Sequence, residues 1–395
     1  GKYAKGELTF VRQVFRQHNF VEISRDSTRF EAGWVIRFTP KEFESLSPLQ
    51  RVNYMPGTRE ICRKDRLHYS IVQMKRKFGH EAFDFWPVGF HLPSEYSAFQ
   101  SYWQKEYIDK KNIEFVPWIL KPPLASCGRR IQLITHIDQV EPDSEWTKKN
   151  IPLAQQYIND PVLVDGFKCT LRIYVVITSV DPIRIYMFPE GLVRICSSRY
   201  SLEKDSFTDR FRHLDSIDIN EQRTKDFLNA IDPDIPGVEG LRMLVSGWMA
   251  WLKKTRSLDP NDLWRQIEEI VVKSILAAEA PITMNVQKYV KKRFNAFDLF
   301  GYDILVDSNF KAWLLEINHT PSMSPHTEME NKVKLSLLGD IVKLVDYSGE
   351  HIRTLSKEVS EKYEKLKILQ KNQRQYIASQ KQLSSSSSSS SSAAS

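Results

Sequence analysis

The stretch FDLFGYDILVDSNFKAWLLEINHTPS, Phe297–Ser322, decides how the rest of the chain reads. Gly301–Asp307 is an apolar, β-branched run around one acid, Asp303. Ala312–Asn318 is a second apolar run, ending in Glu316 and Asn318. Ser308–Lys311 between them is polar and of hairpin length. Pairing Asp307 with Ala312 across that connection puts Asp303 opposite Glu316. Side chains alternate along a strand, so Glu316 and Asn318 share a face, and opposed residues of paired strands point to one side. Three oxygen ligands therefore converge. Two carboxylates so close repel each other unless a cation sits between them. Mg²⁺ takes a few hard oxygens and fills its remaining positions with phosphate and water. The plain alternative is that these acids are solvated at strand ends; the three-way convergence and the flanking Gly301 and Pro321 weigh toward the cation site.

Composition sets the frame. The chain of 395 residues has length for two or three domains, and 41% hydrophobic and 11% aromatic content suits a large core. The net charge of +7 suggests an acidic partner: nucleic acid, an anionic membrane surface or an acidic protein tail. Cys62, Cys127, Cys169 and Cys196 form no CxxC pair, which points away from zinc and disulfide frameworks and toward a reducing compartment. No apolar run is long enough to span a membrane, and no signal-peptide hydrophobic region opens the chain, which begins abruptly, as a fragment would.

Outward from the hairpin, the pattern predicts an α+β protein. Strands are expected at Phe20–Glu22, Gly33–Phe38, Phe115–Leu120, Ile131–Thr135, Leu171–Ser179, Ile183–Phe188 and Gly191–Cys196, with turns at Asp181–Pro182 and Pro189–Gly191. Helices are expected at Lys41–Leu46, Tyr69–Phe78, Ala98–Lys111, Gly240–Leu252, Asp262–Glu279 and Lys332–Val345. Ile267, Ile270, Val271, Ser274, Ile275 and Ala278 make a core-facing stripe on the second-last of these, capped by Asn261 or Asp262. Leu202–Ile235 reads as a polar loop with short helices. His351–Gln382 reads as a long basic helix, and Leu383–Ser395 ends in a serine run that cannot form a core.

Several basic residues lie where a phosphate would be handled. Lys121 follows an apolar strand and precedes a loop whose Ala125, Ser126 and Gly128 permit close backbone approach. Arg172 and Arg194 stand within apolar strands, and a buried arginine needs an anion, from a ligand or from a structural ion pair. Lys168 lies four residues before Arg172, and His213 opens the polar stretch HLDSIDIN. Acids for a cation, bases for phosphates and a basic surface favour ATP-dependent chemistry on an acidic substrate.

With those residues in view, the chain resembles the tubulin tyrosine ligase-like family, from about Phe20 to Val345. The hairpin stretch carries the likeness most strongly. WILKPP (Trp118–Pro123), QQYI (Gln155–Ile158), DPIRIYMFPEGLVR (Asp181–Arg194), NYMPGTREICRKDRL (Asn53–Leu67) and FDFWPVGFHLP (Phe83–Pro93) add to it in order. The N-terminal half is more like the polyglutamylases than the founding ligase. The resemblance implies an ATP-grasp fold: an N-terminal lobe (1–95), a central lobe (96–185), a C-terminal lobe (186–348), a basic extension (349–382) and a serine-rich tail (383–395), with the nucleotide between the central and C-terminal lobes. It implies Mg²⁺ ligation by Asp303, Glu316 and Asn318. ATP contacts fall to Lys121, Gly128, Gln155, Gln156, Tyr157, Ile158 and Lys168. Arg172 and Glu316 are catalytic, and Arg194 and His213 lie on the substrate side. The implied reaction joins free glutamate to glutamate side chains of acidic tubulin tails through an acyl-phosphate. The implied protein is a cytoplasmic, cytoskeletal monomer, with cilium, axoneme or basal body as particular addresses, and without nucleic-acid or membrane partners.

Three departures bear on activity. Arg130 replaces the second glycine of the loop after WILKPP. Thr170 replaces an acid before Leu-Arg. HLDSIDINE replaces HLTNYSINK, so Asp215 stands for Thr, and Ser216, Ile217 and Asp218 follow. Arg130 could block the loop or add a phosphate contact, and new acids near phosphates would repel them. Three readings follow: an active polyglutamylase, an impaired relative that binds microtubules as a structural protein, and a glycylase.

Overall fold

A computed structural model describes residues 5–345, apart from 25, 26, 28, 110–116, 125–127, 257, 258 and 293. The expected basic helix from His351 and the serine tail lie outside the described residues. The protein is α+β. Its strands are β1 (Ala32–Gly33), β2 (Arg51–Val52), β3 (Gly89–His91), β4 (Trp118–Lys121), β5 (Gln132–Ile134), β6 (Leu153–Gln156), β7 (Leu163–Val164), β8 (Phe167–Val180), β9 (Ile183–Arg199), β10 (Arg242–Leu244), β11 (Asp298–Val306) and β12 (Ala312–His319). A four-stranded antiparallel sheet runs β3-β6-β4-β5, and a larger one runs β10-β9-β8-β11-β12, with β7 on β8. β1 and β2 form a parallel pair.

The larger sheet is central because its strands are apolar on both faces. β8 and β11 are almost continuously buried, the pattern of strands covered on both sides. The helix Pro260–Ala277 covers one face. All six residues of its expected stripe are buried, and Ser274 Oγ meets Tyr302 Oη of β11 at 3.1 Å. Asp259 caps this helix instead of Asn261 or Asp262, because Pro260 at the first helical position leaves the preceding acid free to accept from Asn261 N. Gln266, from the same helix, bonds Phe310 O and Ala312 N and so fixes the hairpin loop.

The hairpin differs from its expected pairing in an instructive way. Val306, not Asp307, pairs with Ala312. Asp307 turns its carboxylate onto Asn309 N, Lys311 N and Trp313 Nε1, which lengthens the connection to Asp307–Lys311. A bulge then absorbs Leu315, so that Ile304 pairs with Leu314 while Asp303 still pairs with Glu316. Without the bulge, Glu316 and Asn318 would continue the buried face of Ala312 and Leu314. With it, Ile317 takes the core, and Leu315, Glu316 and Asn318 line a cavity.

Other expectations shift. Phe20–Glu22 forms no strand, and Gly33–Phe38 contracts to β1, since neither stretch finds a partner along its length. The break expected at Pro189–Gly191 is absent: β9 runs through it, with register shifts against β8 taking up the irregularity. Gly240–Leu252 divides into β10 and the helix Val245–Arg256 because β9 offers β10 an edge. The helix expected from Tyr69 starts at Lys64, and the one expected at Ala98 begins at Tyr96 and widens into a π-helical turn at Gln104–Asp109. The 202–235 segment is a loop with short helices, and the helix expected at Lys332–Val345 runs Glu328–Leu344, starting one turn earlier behind its Thr327 cap. Among the described residues, no helix is long and apolar enough to cross a membrane, and Cys62, Cys169 and Cys196 are free thiols.

Candidate active site

A cavity of about 470 Å³ draws its lining from both large sheets. It collects Lys121, Gly128, Gln155, Gln156, Tyr157, Ile158, Arg172, Arg194, His213, Asp303, Glu316 and Asn318; of the nucleotide, substrate and metal contacts that the resemblance implied, Lys168 alone is not in the lining.

The hairpin supplies one wall. Asn318 Nδ2 lies 3.1 Å from both Asp303 Oδ2 and Glu316 Oε1, so the three side chains converge. Arg172 grips Asp303 with Nε at 2.6 Å and Nη2 at 3.2 Å, and Arg194 Nη2 binds the same carboxylate. Gly301 makes this possible: a Cβ there would stand 2.8 Å from Arg172 Cδ and displace the guanidinium. Burial lifts the Asp303 carboxyl above its ordinary value even against the two arginines. Glu316 goes the other way. Burial would raise it, but Lys64 at 2.9 Å and the nearby Lys121 hold it well below the usual carboxylate range. Two adjacent acids with divergent proton affinities are a common sign of a working site. Two carboxylates and an amide fit a cation such as Mg²⁺ that completes its shell with phosphate and water, with the amide turned to present Oδ1.

The smaller sheet supplies the facing wall. Lys121 ends β4, buried, with Nζ 2.8 Å from Gln155 Oε1. Burial first, then Lys64 and Lys168, outweigh the pull of Glu316 and lower its pKa to about 8. Lys168 stands under Tyr157, donating to its hydroxyl at 2.6 Å and to His213 O at 3.1 Å. Burial brings Lys168 to about 8 as well. His213 has both ring nitrogens engaged, Nδ1 with Tyr157 Oη and Nε2 with Ser206 O, and its ring stacks on Phe207. Burial, with Lys168, lowers its pKa to about 4. The histidine thus positions Tyr157.

The departures take definite places. Arg130 does not line the cavity; its Nη1 donates to Asn150 Oδ1 at 3.2 Å, and its backbone holds a positive φ of 58°, which explains the fit of a glycine there. Thr170 donates its hydroxyl to Asp215, and Asp215 pairs with Arg194 at 3.4 Å. Burial would raise Asp215, yet Arg194, Thr170 and Lys168 bring its pKa below the ordinary value. Asp218 is exposed at the rim.

Two participants escaped the sequence reading. Lys64 opens the helix Lys64–Phe78, where the helix dipole disfavours a cation, and Glu316 holds it there. ICRKDRL signalled basic density but not which residue turns inward. Arg242 was taken into a helix, and it lines the cavity from β10.

The profile described as the tubulin-tyrosine ligase family matches residues 43–353. The chain belongs to that family. It is 33% identical over 347 residues to human tubulin polyglutamylase TTLL5, covering 88% of this chain and 26% of that protein. It is 31% identical over 337 residues to mouse tubulin monoglutamylase TTLL4, covering 85% of this chain and 27% of that one. A probable beta-tubulin polyglutamylase of Tetrahymena thermophila is 29% identical over 326 residues, 81% of this chain and 26% of that protein. The chain thus spans about a quarter of the length of these relatives. This member of the family carries Asp303, Glu316, Lys121, Arg172 and Arg194 around one cavity.

Proposed function

We propose that this chain is an ATP-dependent ligase of the ATP-grasp kind that adds glutamate to glutamate side chains of tubulin tails. The observation that carries the proposal is one cavity in which Asp303, Glu316 and Asn318 face Lys121, Arg172 and Arg194, with Lys64 paired to Glu316 from behind. ATP lies between the two sheets, with its base along Gln155–Ile158 and its phosphates toward the hairpin. Mg²⁺, held by Asp303, Glu316 and Asn318, neutralises phosphate charge when bound. Lys121 holds the phosphates, and Lys64 steadies Glu316. Arg172, steadied on Asp303, faces the transferring phosphoryl group, and preorganised cations of this kind lower a barrier without rearranging during reaction. The acceptor carboxylate takes the γ-phosphoryl group from ATP, releasing ADP. The amine of free glutamate then displaces phosphate from the acyl-phosphate and loses a proton as the amide forms. A basic protein of charge +7 suits an acidic tail and a cytoskeletal setting. Asp215, occupied by Thr170 and Arg194, is no free repulsive charge, which favours the active reading over the impaired one.

The test is incubation of the protein with tubulin, Mg-ATP and labelled glutamate, followed by mass spectrometry of the tails. Glutamate increments are expected. No increment beside an active relative would refute the proposal, and glycine increments instead would move it to a glycylase.

A further inference from the structure

We propose that Arg242 anchors a carboxylate of the free amino acid, at the end of the cavity farthest from the hairpin; this rests on the ligase reading above. Arg242 opens the edge strand β10. Its backbone is fixed by pairing with Arg194 of β9 and by reciprocal bonds with Glu239, at 2.9 and 3.2 Å. The residue is 3% exposed and lines the cavity. Its Nη1 donates to the carbonyl of Leu241 at 2.9 Å, while Nε has no acceptor.

Among the described residues, no carboxylate forms an ion pair with Arg242. The nearby acids are committed elsewhere. Glu330 accepts from Lys334 Nζ at 2.7 Å and from His326 N at 2.8 Å, and Asp215 serves Thr170 and Arg194. Lys334 is also spent, on Glu330 and on Ser324 O at 2.6 Å. A buried guanidinium with an open donor is costly unless an anion arrives. Burial, with Arg194, already presses Arg242 down to about 10. Arginine's planar fork matches a carboxylate.

Position separates a carboxylate from the phosphates of ATP. Three strand spacings divide β10 from β11, roughly 14 Å at about 4.8 Å each. Arg194, one strand nearer, already reaches Asp303, so Arg242 is the next cation outward from the hairpin acids. An amino acid with its amine near Arg172 and a carboxylate toward β10 fills the interval.

The experiment uses Arg242→Gln and Arg242→Lys in the whole chain, with KM measured separately for glutamate and for ATP and with melting temperature recorded. Arg242→Gln should raise the glutamate KM by roughly tenfold or more, as loss of a charge-assisted bond does, and leave the ATP KM within about twofold. Arg242→Lys should lie between, since it keeps charge but lacks the fork. If Arg242→Gln does not fold, the lysine variant decides alone. A glutamate KM unmoved in the folded variants, or an ATP KM rising in step, overturns the assignment. Calorimetric titration of wild type and Arg242→Lys with glutamate and with inorganic phosphate, both with Mg-ADP present, separates this idea from the ligase reading. Arg242-dependent glutamate binding without tubulin ligation would sink the ligase reading and keep the subsite. Arg242-dependent binding of phosphate alone would sink the subsite.

Discussion

The two walls of the cavity are built on opposite principles. The hairpin wall is made of paired strands, and each of its functional side chains is set by register: Asp303 by β11, Glu316 and Asn318 by β12 beyond a bulge. The loop wall, Gly128 and Asp215–Asp218, is set by side-chain contacts between segments distant in sequence, such as Thr170 with Asp215 and Arg210 with the carbonyl of Gly128. A register tolerates little substitution, whereas a contact can be rebuilt with its two partners exchanged. The hairpin accordingly matches its family pattern closely, and the loop wall departs from it in several places.

The largest expected effect lies on the hairpin. Glu316→Gln should cut ligation at least about a hundredfold, the order seen when a charge-stabilising group is removed. It should also lower the melting temperature, because the buried ion pair between Lys64 and Glu316 is lost. Ligation within threefold of wild type would break the contrast at its root.

Gly301→Ala comes next. The new methyl would push Arg172 off Asp303, and displacement of a positioned group by about 1 Å costs on the order of a hundredfold. The kcat should fall with the fold intact by circular dichroism. An unchanged kcat would show that Arg172 need not rest on Asp303.

The loop wall predicts compensation. Asp215→Thr loosens Arg194, and Thr170→Asp sets two carboxylates together. Each should reduce kcat, while the double exchange should recover most of it, with a coupling of about 1–2 kcal/mol in a double-mutant cycle. Additive losses would show that the two residues act separately.

Smaller still is a pH effect. Lys121 binds phosphate only when protonated, and its pKa in the free protein is about 8. ATP affinity should hold below that value and fall as pH rises through it. Lys121→Arg, which does not titrate in this range, should flatten the profile. For stability the sign is opposite. A lysine with a lowered folded pKa destabilises the fold while the unfolded chain holds the extra proton, and the penalty fades as pH rises from about 8 toward 10.4. Persistence of the fall in Lys121→Arg would assign it to another group, and Lys168 would be first to examine.

The smallest effect belongs to Arg130→Gly. Glycine relieves the positive φ but loses the bond to Asn150, so stability should change by no more than about 1 kcal/mol and nucleotide affinity hardly at all. A tenfold gain in affinity would mean that Arg130 obstructs the loop.

Much of the hairpin was legible because strand pairing is local and periodic. The expected partner of Asp303 was right although the turn was one residue too short, since the lengthened loop and the bulge at Leu315 offset each other. The stripe on Pro260–Ala277 was legible for the same reason, a period repeated along one element. Lys64 and Arg242 were not, because nothing in a run of basic residues says which one pairs with Glu316, and nothing at the start of a short edge strand says that its arginine lines a cavity. His213, which the resemblance put on the substrate side, lines the cavity with its ring nitrogens held by Tyr157 and Ser206 and its ring stacked on Phe207, contacts that no local pattern announces.

What the sequence by itself determined is the alternation of acids and apolar residues from Phe297 to Ser322, hence one face carrying Asp303, Glu316 and Asn318, because side chains alternate along any strand. What only the tertiary structure decided is the company those residues keep. Whether Asp215 repels or supports, whether Arg130 obstructs, and which arginine is left with an open donor depend on distances between segments far apart in the chain. Burial, which gives those distances their electrostatic weight, exists only once the sheets have closed around the cavity.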